Sequence, residues 1–112
     1  MRIAVIGSRG IAAIDFAAVG AKPGDIIVSG GAKGVDSLAA KAAEAAGLGV
    51  ELHLPNYALY GRAAPHVRNR EIVRACDRLV AFWDGVSRGT AGTVALARRM
   101  GKPVEVVTMS EA

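Results

Sequence analysis

The chain has 112 residues, 52% of them hydrophobic, and a formal net charge of +4. This length suits one domain, predicted over residues 1–112, and the apolar fraction can fill a core without disulfides. The single cysteine, Cys76, excludes an internal disulfide and matches no metal-ligand spacing, so we predict no metal site and a cytoplasmic location. No apolar run approaches the roughly 18 residues of a membrane span, so we predict no membrane partner.

Five short apolar runs alternate with longer helical patterns, which is typical of repeated βα units. The apolar runs are residues 3–6, 26–28, 50–54, 79–83 and 104–107. Most are apolar at consecutive positions, which indicates strands buried on both faces.

Four helices are predicted between the strands, over residues 11–19, 35–46, 65–75 and 90–100. With right-handed crossovers, the strand order is expected to be 3-2-1-4-5. We therefore predict an α/β fold, a Rossmann-like three-layer sandwich around a five-stranded parallel sheet. Ligands of such sheets bind beyond the carboxyl ends of the strands, here between the first and fourth.

Glycine-rich loops follow three of the predicted strands, at residues 7–10, 29–34 and 83–93. Each is a strand-to-helix turn, so all three lie at the same edge of the sheet. Glycine lets the backbone approach an anion closely, and the following helix N-terminus offers unpaired N–H groups. Each loop also carries a hydroxyl and one cation, namely Arg9, Lys33 or Arg88. We expect a phosphate-bearing ligand at this edge.

The predicted ligand-binding residues come from these loops and from the third helix. They are Gly7, Ser8, Arg9, Gly30, Gly31, Lys33, Gly34, Asp36, Arg68, Asn69, Ser87, Arg88, Gly89, Thr90, Gly92 and Thr93. Neither the P-loop pattern nor the dinucleotide fingerprint Gly-x-Gly-x-x-Gly is present, which disfavours a conventional NTPase or dehydrogenase.

Several side chains leave two interpretations open. Asp36 either complements the dipole of its helix or accepts a hydrogen bond from a ribose hydroxyl. Asn69 shares a stripe with Ile72 and is expected to face the sheet, where a polar group needs a partner. Tyr57 and Tyr60 either stack on a base or cover the core edge or a partner subunit.

The motifs Gly7-Ser8-Arg9, Ser29-Gly30-Gly31-Ala32-Lys33-Gly34-Val35-Asp36, Arg68-Asn69 and Ser87-Arg88-Gly89-Thr90 resemble the SLOG superfamily. The similarity is to its small stand-alone branch, related to the SMF/DprA DNA-processing proteins and the LOG-type phosphoribohydrolases. It implies binding of a nucleotide or nucleotide derivative, such as an ADP-ribose or NAD derivative. It also implies self-association, and the apolar helix over residues 35–46 favours a dimer or tetramer. We predict that no further cofactor is required.

The chain departs from the LOG pattern at one position. LOG hydrolases carry a catalytic glutamate where this sequence has Leu96. Glycosidic cleavage needs an acidic group, so binding without turnover is the first hypothesis. An N-glycosidic hydrolase using Asp84, Glu71 or His66 is the alternative. A second alternative, DprA-like binding of single-stranded DNA, would rely on Arg9, Arg68 and Arg88.

Overall fold

A computed structural model describes residues 1–109, so the last three residues of the predicted domain lie outside the described residues. The strands are β1 (Arg2–Gly7), β2 (Ile26–Ser29), β3 (Gly49–Leu52), β4 (Arg78–Trp83) and β5 (Val104–Thr108). The helices are α1 (Val35–Ala45), α2 (Tyr57–Tyr60), α3 (Ala64–Ala75) and α4 (Arg88–Arg99). Two 3₁₀ turns span Phe16–Val19 and Gly61–Ala63. None of the helices described is long and apolar enough to cross a membrane.

All five strands are parallel and lie in the order β3-β2-β1-β4-β5. This confirms the predicted fold class and strand order. The chain builds outward from β1 to β3, then returns to the other side of β1 to add β4 and β5. Neighbouring connections therefore diverge above β1 and β4, which leaves room for a cleft at their carboxyl ends.

Side chains of β1 alternate between two cores. Ile3 and Val5 pack with the apolar stripe of α1, whereas Ala4 and Ile6 pack with residues of α3 and α4. The central strands β1 and β4 each contain four consecutive buried residues, as the consecutive apolar runs predicted. The edge strands β3 and β5 are only half-buried.

The predicted helix over residues 11–19 is wrong. Only the 3₁₀ turn Phe16–Val19 forms there, because Asp15 adopts an extended backbone with φ −88° and its carboxylate accepts from the Ala17 amide at 3.1 Å. Aspartate competes with helical hydrogen bonding in this way, and an isolated nine-residue segment is too short to form a stable helix by itself.

The connection after β3 also differs from the prediction. β3 ends at Leu52 rather than residue 54, and the short helix α2 was not anticipated from the sequence. Asn56 begins α2 by accepting from the Leu59 amide at 3.1 Å. An Asn cap before four residues is a weak signal, since the same residue is common in turns.

Gly34, which precedes α1, has a conformation that only glycine adopts easily, with φ +78° and ψ −128°. A Cβ at this position would lie 2.6 Å from the Arg9 carbonyl oxygen and 2.7 Å from that of Ser8. Gly34 therefore allows the loops after β1 and β2 to touch.

We expect Gly34→Ala to lower the free energy of unfolding by ~2 kcal/mol or more, from backbone strain and crowding together. Gly47→Ala is the matched control, because Gly47 also has positive φ (+74°) but no neighbouring atom within 4 Å of the position that a Cβ would take. The control should cost only about 1 kcal/mol. Urea unfolding measures both, and equal losses would contradict the proposed loop contact.

Candidate functional site

A cavity of about 460 Å³, here called the switch cavity, opens beyond the carboxyl ends of β1 and β4. Its lining consists of Ile6, Gly7, Arg9, Gly10, Ala32, Asp36, Pro65, His66, Arg68, Asn69, Asp84, Ser87, Gly89, Thr90 and Thr93. The cavity lies at the topological switch where the sequence placed a ligand. Its volume is within the range of small-molecule sites.

The structure brings together more than half of the predicted ligand-binding residues. Those lining the switch cavity are Gly7, Arg9, Asp36, Arg68, Asn69, Ser87, Gly89, Thr90 and Thr93. Those outside its lining are Ser8, Gly30, Gly31, Lys33, Gly34, Arg88 and Gly92. Sequence reasoning missed Ile6, Gly10, Ala32 and Pro65; position in the loops could have indicated Gly10 and Ala32, whereas Ile6 has no sequence signal of its own.

The N-terminus of α4 has free donors beside the switch cavity. Ser87 occupies the capping position, yet its side chain makes no capping hydrogen bond. Among the described residues, none accepts from the amides of Arg88, Gly89 or Thr90. Since Gly89 and Thr90 line the cavity, the positive end of the helix dipole is available to an anion there.

The Asp84 carboxylate makes its hydrogen bonds to the loop before α4 and not to the helix itself. Its Oδ1 accepts from the amides of Val86 at 2.9 Å and Ser87 at 2.7 Å. These backbone hydrogen bonds lower the pKa of the Asp84 carboxyl below its ordinary value. The carboxylate is therefore ionised at neutral pH and does not suit the role of a general acid.

The other two residues of the hydrolase alternative lie apart from each other. His66 is exposed and lines the switch cavity. Glu71 does not line it; its Oε2 lies 3.6 Å from Nδ1 of His53, and its side chain is half-exposed. The three candidate groups thus do not converge on one point of the cavity.

The Oγ and the backbone amide of Ser8 both make hydrogen bonds within the protein. Ser8 is fully buried, and its Oγ accepts from the amide of Asp84 at 3.1 Å. Its own amide donates to the Phe82 carbonyl at 3.1 Å. Ser8 therefore joins the loop after β1 to the loop after β4, and supports the cavity from below.

Arg68 extends from α3 into the loop after β2. It is only 7% exposed, and its Nη1 donates to the Gly30 carbonyl at 2.8 Å while its Nε donates to Oδ1 of Asn69, also at 2.8 Å. This contact supplies the partner that Asn69 was expected to need. None of the described residues accepts from Nη2, which leaves that nitrogen for the cavity that Arg68 lines.

Asp36 and Arg68 both approach Gly30 at the position that a Cβ would take. A Cβ on Gly30 would be 2.7 Å from Nη1 of Arg68 and 2.8 Å from Oδ2 of Asp36. The two charged groups nevertheless make no ion pair within 4.0 Å in the part of the chain that the structure describes. Asp36 Oδ2 accepts from the Ala32 amide at 3.3 Å instead. Arg68 is thus a buried cation without a direct carboxylate partner.

Burial raises the pKa of the Asp36 carboxyl, an effect that the Ala32 amide and the Arg68 charge only partly oppose. No group of three His, Cys, Asp or Glu residues suited to a metal ion occurs within residues 1–109. The cavity therefore presents amide donors and arginines together with two carboxyls, those of Asp36 and Asp84.

The comparisons identify a relative in a virus. The chain is 37% identical over 87 residues to the "Gene 61 protein" of Mycobacterium phage D29, covering 72% of this chain and 70% of the phage protein. The chain belongs to the family of this phage protein. No family model and no solved structure matches this chain. The name of the Gene 61 protein states no activity, so the function must be argued from the site.

Asp36 makes stability depend on pH in a direction opposite to that of most carboxylates. Because its folded-state pKa is raised, the folded protein holds this proton more tightly than the unfolded chain does. The cost of ionising it is absent below the ordinary pKa of about 4 and grows as the pH rises toward the raised value. We expect the stability of Asp36→Asn, relative to the unsubstituted protein, to increase with pH across this window.

Urea unfolding of both proteins at a series of pH values measures this difference. Glu44→Gln, on the exposed side of the same helix, is the control for losing one carboxylate. A stability difference between Asp36→Asn and the unsubstituted protein that is constant with pH would rule out the titration of Asp36.

Proposed function

We propose that this protein binds a nucleotide or a nucleotide-derived phosphate ligand, such as an ADP-ribose or NAD derivative, in the switch cavity. The observation that carries the proposal is the meeting of the uncapped N-terminus of α4 with Arg9 and the buried Arg68 at one cavity. Unpaired amides and arginines are the two kinds of donor that phosphate oxygens prefer.

The phosphate is expected at the first turn of α4. Apart from its chain neighbours and the backbone of its own helix, Gly89 has no atom within 4 Å of the position that a Cβ would take, so the backbone is open to close approach. The amides of Gly89 and Thr90 and the dipole of the helix supply donors and partial positive charge. Arg9, which is exposed and makes no hydrogen bond to described residues, is free to add a bidentate contact.

The ribose is expected between the phosphate site and the loop after β2. Asp36 and Asn69 line the cavity there, and each is held by a neighbour: Asp36 by the Ala32 amide and Asn69 by Arg68. A carboxylate and an amide are suitable partners for vicinal hydroxyls. Their fixed positions reduce the entropy that binding must overcome.

Membership of the SLOG superfamily remains part of the same proposal. The glycine loops of the resemblance lie at one sheet edge, and the pair Arg68-Asn69 contacts one of them through the Gly30 carbonyl. Binding without turnover is preferred over hydrolysis, because Asp84 is ionised and Glu71 lies outside the cavity, which leaves His66 as the one remaining candidate of the three.

Thermal unfolding against AMP, ADP-ribose, NAD and a short single-stranded DNA tests the proposal. A ligand at a hundredfold its Kd adds about 2.7 kcal/mol to the folded state, which gives a clear shift of the midpoint. We expect a nucleotide to raise the midpoint and Arg9→Gln to weaken its binding about tenfold, because one charge-assisted contact is lost. Arg70→Gln, an exposed arginine of α3 outside the cavity, should bind normally.

Other results would change the conclusion. A nucleotide recovered in cleaved form would establish the hydrolase alternative. Stabilisation by DNA alone, decreasing with salt, would indicate nucleic-acid binding instead. Equal losses in Arg9→Gln and Arg70→Gln would show that the ligand responds to net charge and not to the cavity.

We also propose that the protein is a homo-oligomer that uses the apolar surface beside β3. Leu52, Leu54 and Leu59 are exposed there, Leu59 to 67%, next to an edge strand with an unpaired side. Exposed apolar side chains beside a free strand edge are typical of an association surface.

Light scattering after size-exclusion chromatography measures the mass in solution. We expect a dimer or tetramer that Leu59→Lys converts to a monomer, because a charge would have to be buried in the contact. Val86→Lys is the control, since Val86 is exposed to 77% but lies in the loop before α4. A monomeric unsubstituted protein would disprove this part of the proposal.

A further inference from the structure

A second cavity adjoins the switch cavity on the side of β2 and β3. This side cavity has a volume of about 330 Å³. Its lining consists of Arg9, Gly30, Gly31, Ala32, Lys33, Pro55, Tyr57 and Arg68. Arg9, Ala32 and Arg68 line both cavities, so the two cavities are neighbours on account of these shared residues. A ligand longer than a phosphate and a sugar can extend from one into the other.

The chemistry of the side cavity differs from that of the switch cavity. Pro55 and Tyr57 bring an apolar ring and an aromatic ring to its wall. Tyr57 is 57% exposed, and none of the described residues makes a hydrogen bond to its hydroxyl. The backbone that carries Tyr57 is ordered by the Asn56 cap of α2, whose side chain accepts from the Leu59 amide. Tyr57 belongs to neither of the two hydrophobic cores of the described residues.

We propose that the side cavity binds the base of the nucleotide and that Tyr57 is the surface on which the base stacks. This inference rests on the proposed function, because the phosphate must occupy the N-terminus of α4. The base then lies beyond Arg9 and Arg68, with the sugar between them and Asp36. Tyrosine stacks on every base through its π-face, and neighbouring cations such as Lys33 favour such a stack.

The lining of the side cavity also predicts how selective the site is. Three backbone groups of its loop are already engaged: the Gly30 carbonyl accepts from Arg68, and the amides of Gly31 and Ala32 donate to Ser29 and Asp36. Among the side chains of the lining, Arg9 and Lys33 remain to contact the edge of a base, and both can only donate hydrogen bonds. Tyr57 therefore contributes affinity for the presence of a base and little discrimination between bases.

Isothermal titration with AMP and with ribose 5-phosphate tests this role of Tyr57. The two probes share the sugar and the phosphate and differ only in the base. We expect AMP to bind about tenfold or more tightly than ribose 5-phosphate, and Tyr57→Ala to remove that difference without weakening ribose 5-phosphate. Tyr57→Phe should retain it, because the π-face remains.

Tyr60→Ala is the matched control, since Tyr60 is a second exposed tyrosine of α2 that does not line the side cavity. Equal affinity of the unsubstituted protein for both probes would overturn the base site and leave the phosphate site intact. An equal loss of AMP binding in Tyr57→Ala and Tyr60→Ala would overturn it as well. Failure of both probes to bind would instead contradict the proposed function itself.

Discussion

The close contact of three loops above β1 is the constraint on which the rest of the site depends. Gly34 places the loop after β2 against the carbonyl groups of Ser8 and Arg9, and Ser8 in turn accepts from Asp84 in the loop after β4. Without a side chain at Gly34 the three loops meet over the end of β1, whose four central residues are buried. The switch cavity is the space that remains between them and the start of α3.

The second constraint on the site is the burial of the charged Arg68 side chain. A buried guanidinium is costly unless hydrogen bonds replace its water, and here a carbonyl and a side-chain amide do so while a carboxylate does not. The positive charge is therefore only partly compensated within the protein. An anionic ligand would complete the compensation, which gives the ligand a role in stability as well as in function.

Much of the architecture could be predicted, because consecutive apolar residues indicate buried parallel strands and right-handed crossovers then leave few strand orders. The prediction failed for residues 11–19, because the local hydrogen bond of Asp15 to the backbone is not visible in periodicity. Site residues were harder to predict, because ligand approach and loop packing both demand glycine. Tertiary contacts explain Gly30 and Gly34 without any ligand, whereas Gly89 has open space around it and needs another explanation. Only the packing around each glycine shows whether a tertiary contact requires it or whether the space beside it is open.

The geometry of Asp84 decides which backbone amides near the start of α4 it occupies and which it leaves free. A carboxylate close to a helix N-terminus would ordinarily compete with an incoming anion for the same amides. Here Asp84 accepts from Val86 and Ser87, the two residues before the helix begins, and leaves the amides of Gly89 and Thr90 without an acceptor among the described residues. The carboxylate that shapes the loop therefore does not occupy the helix donors. An acid at the capping position of Ser87 would accept from these amides and leave fewer donors for the proposed phosphate.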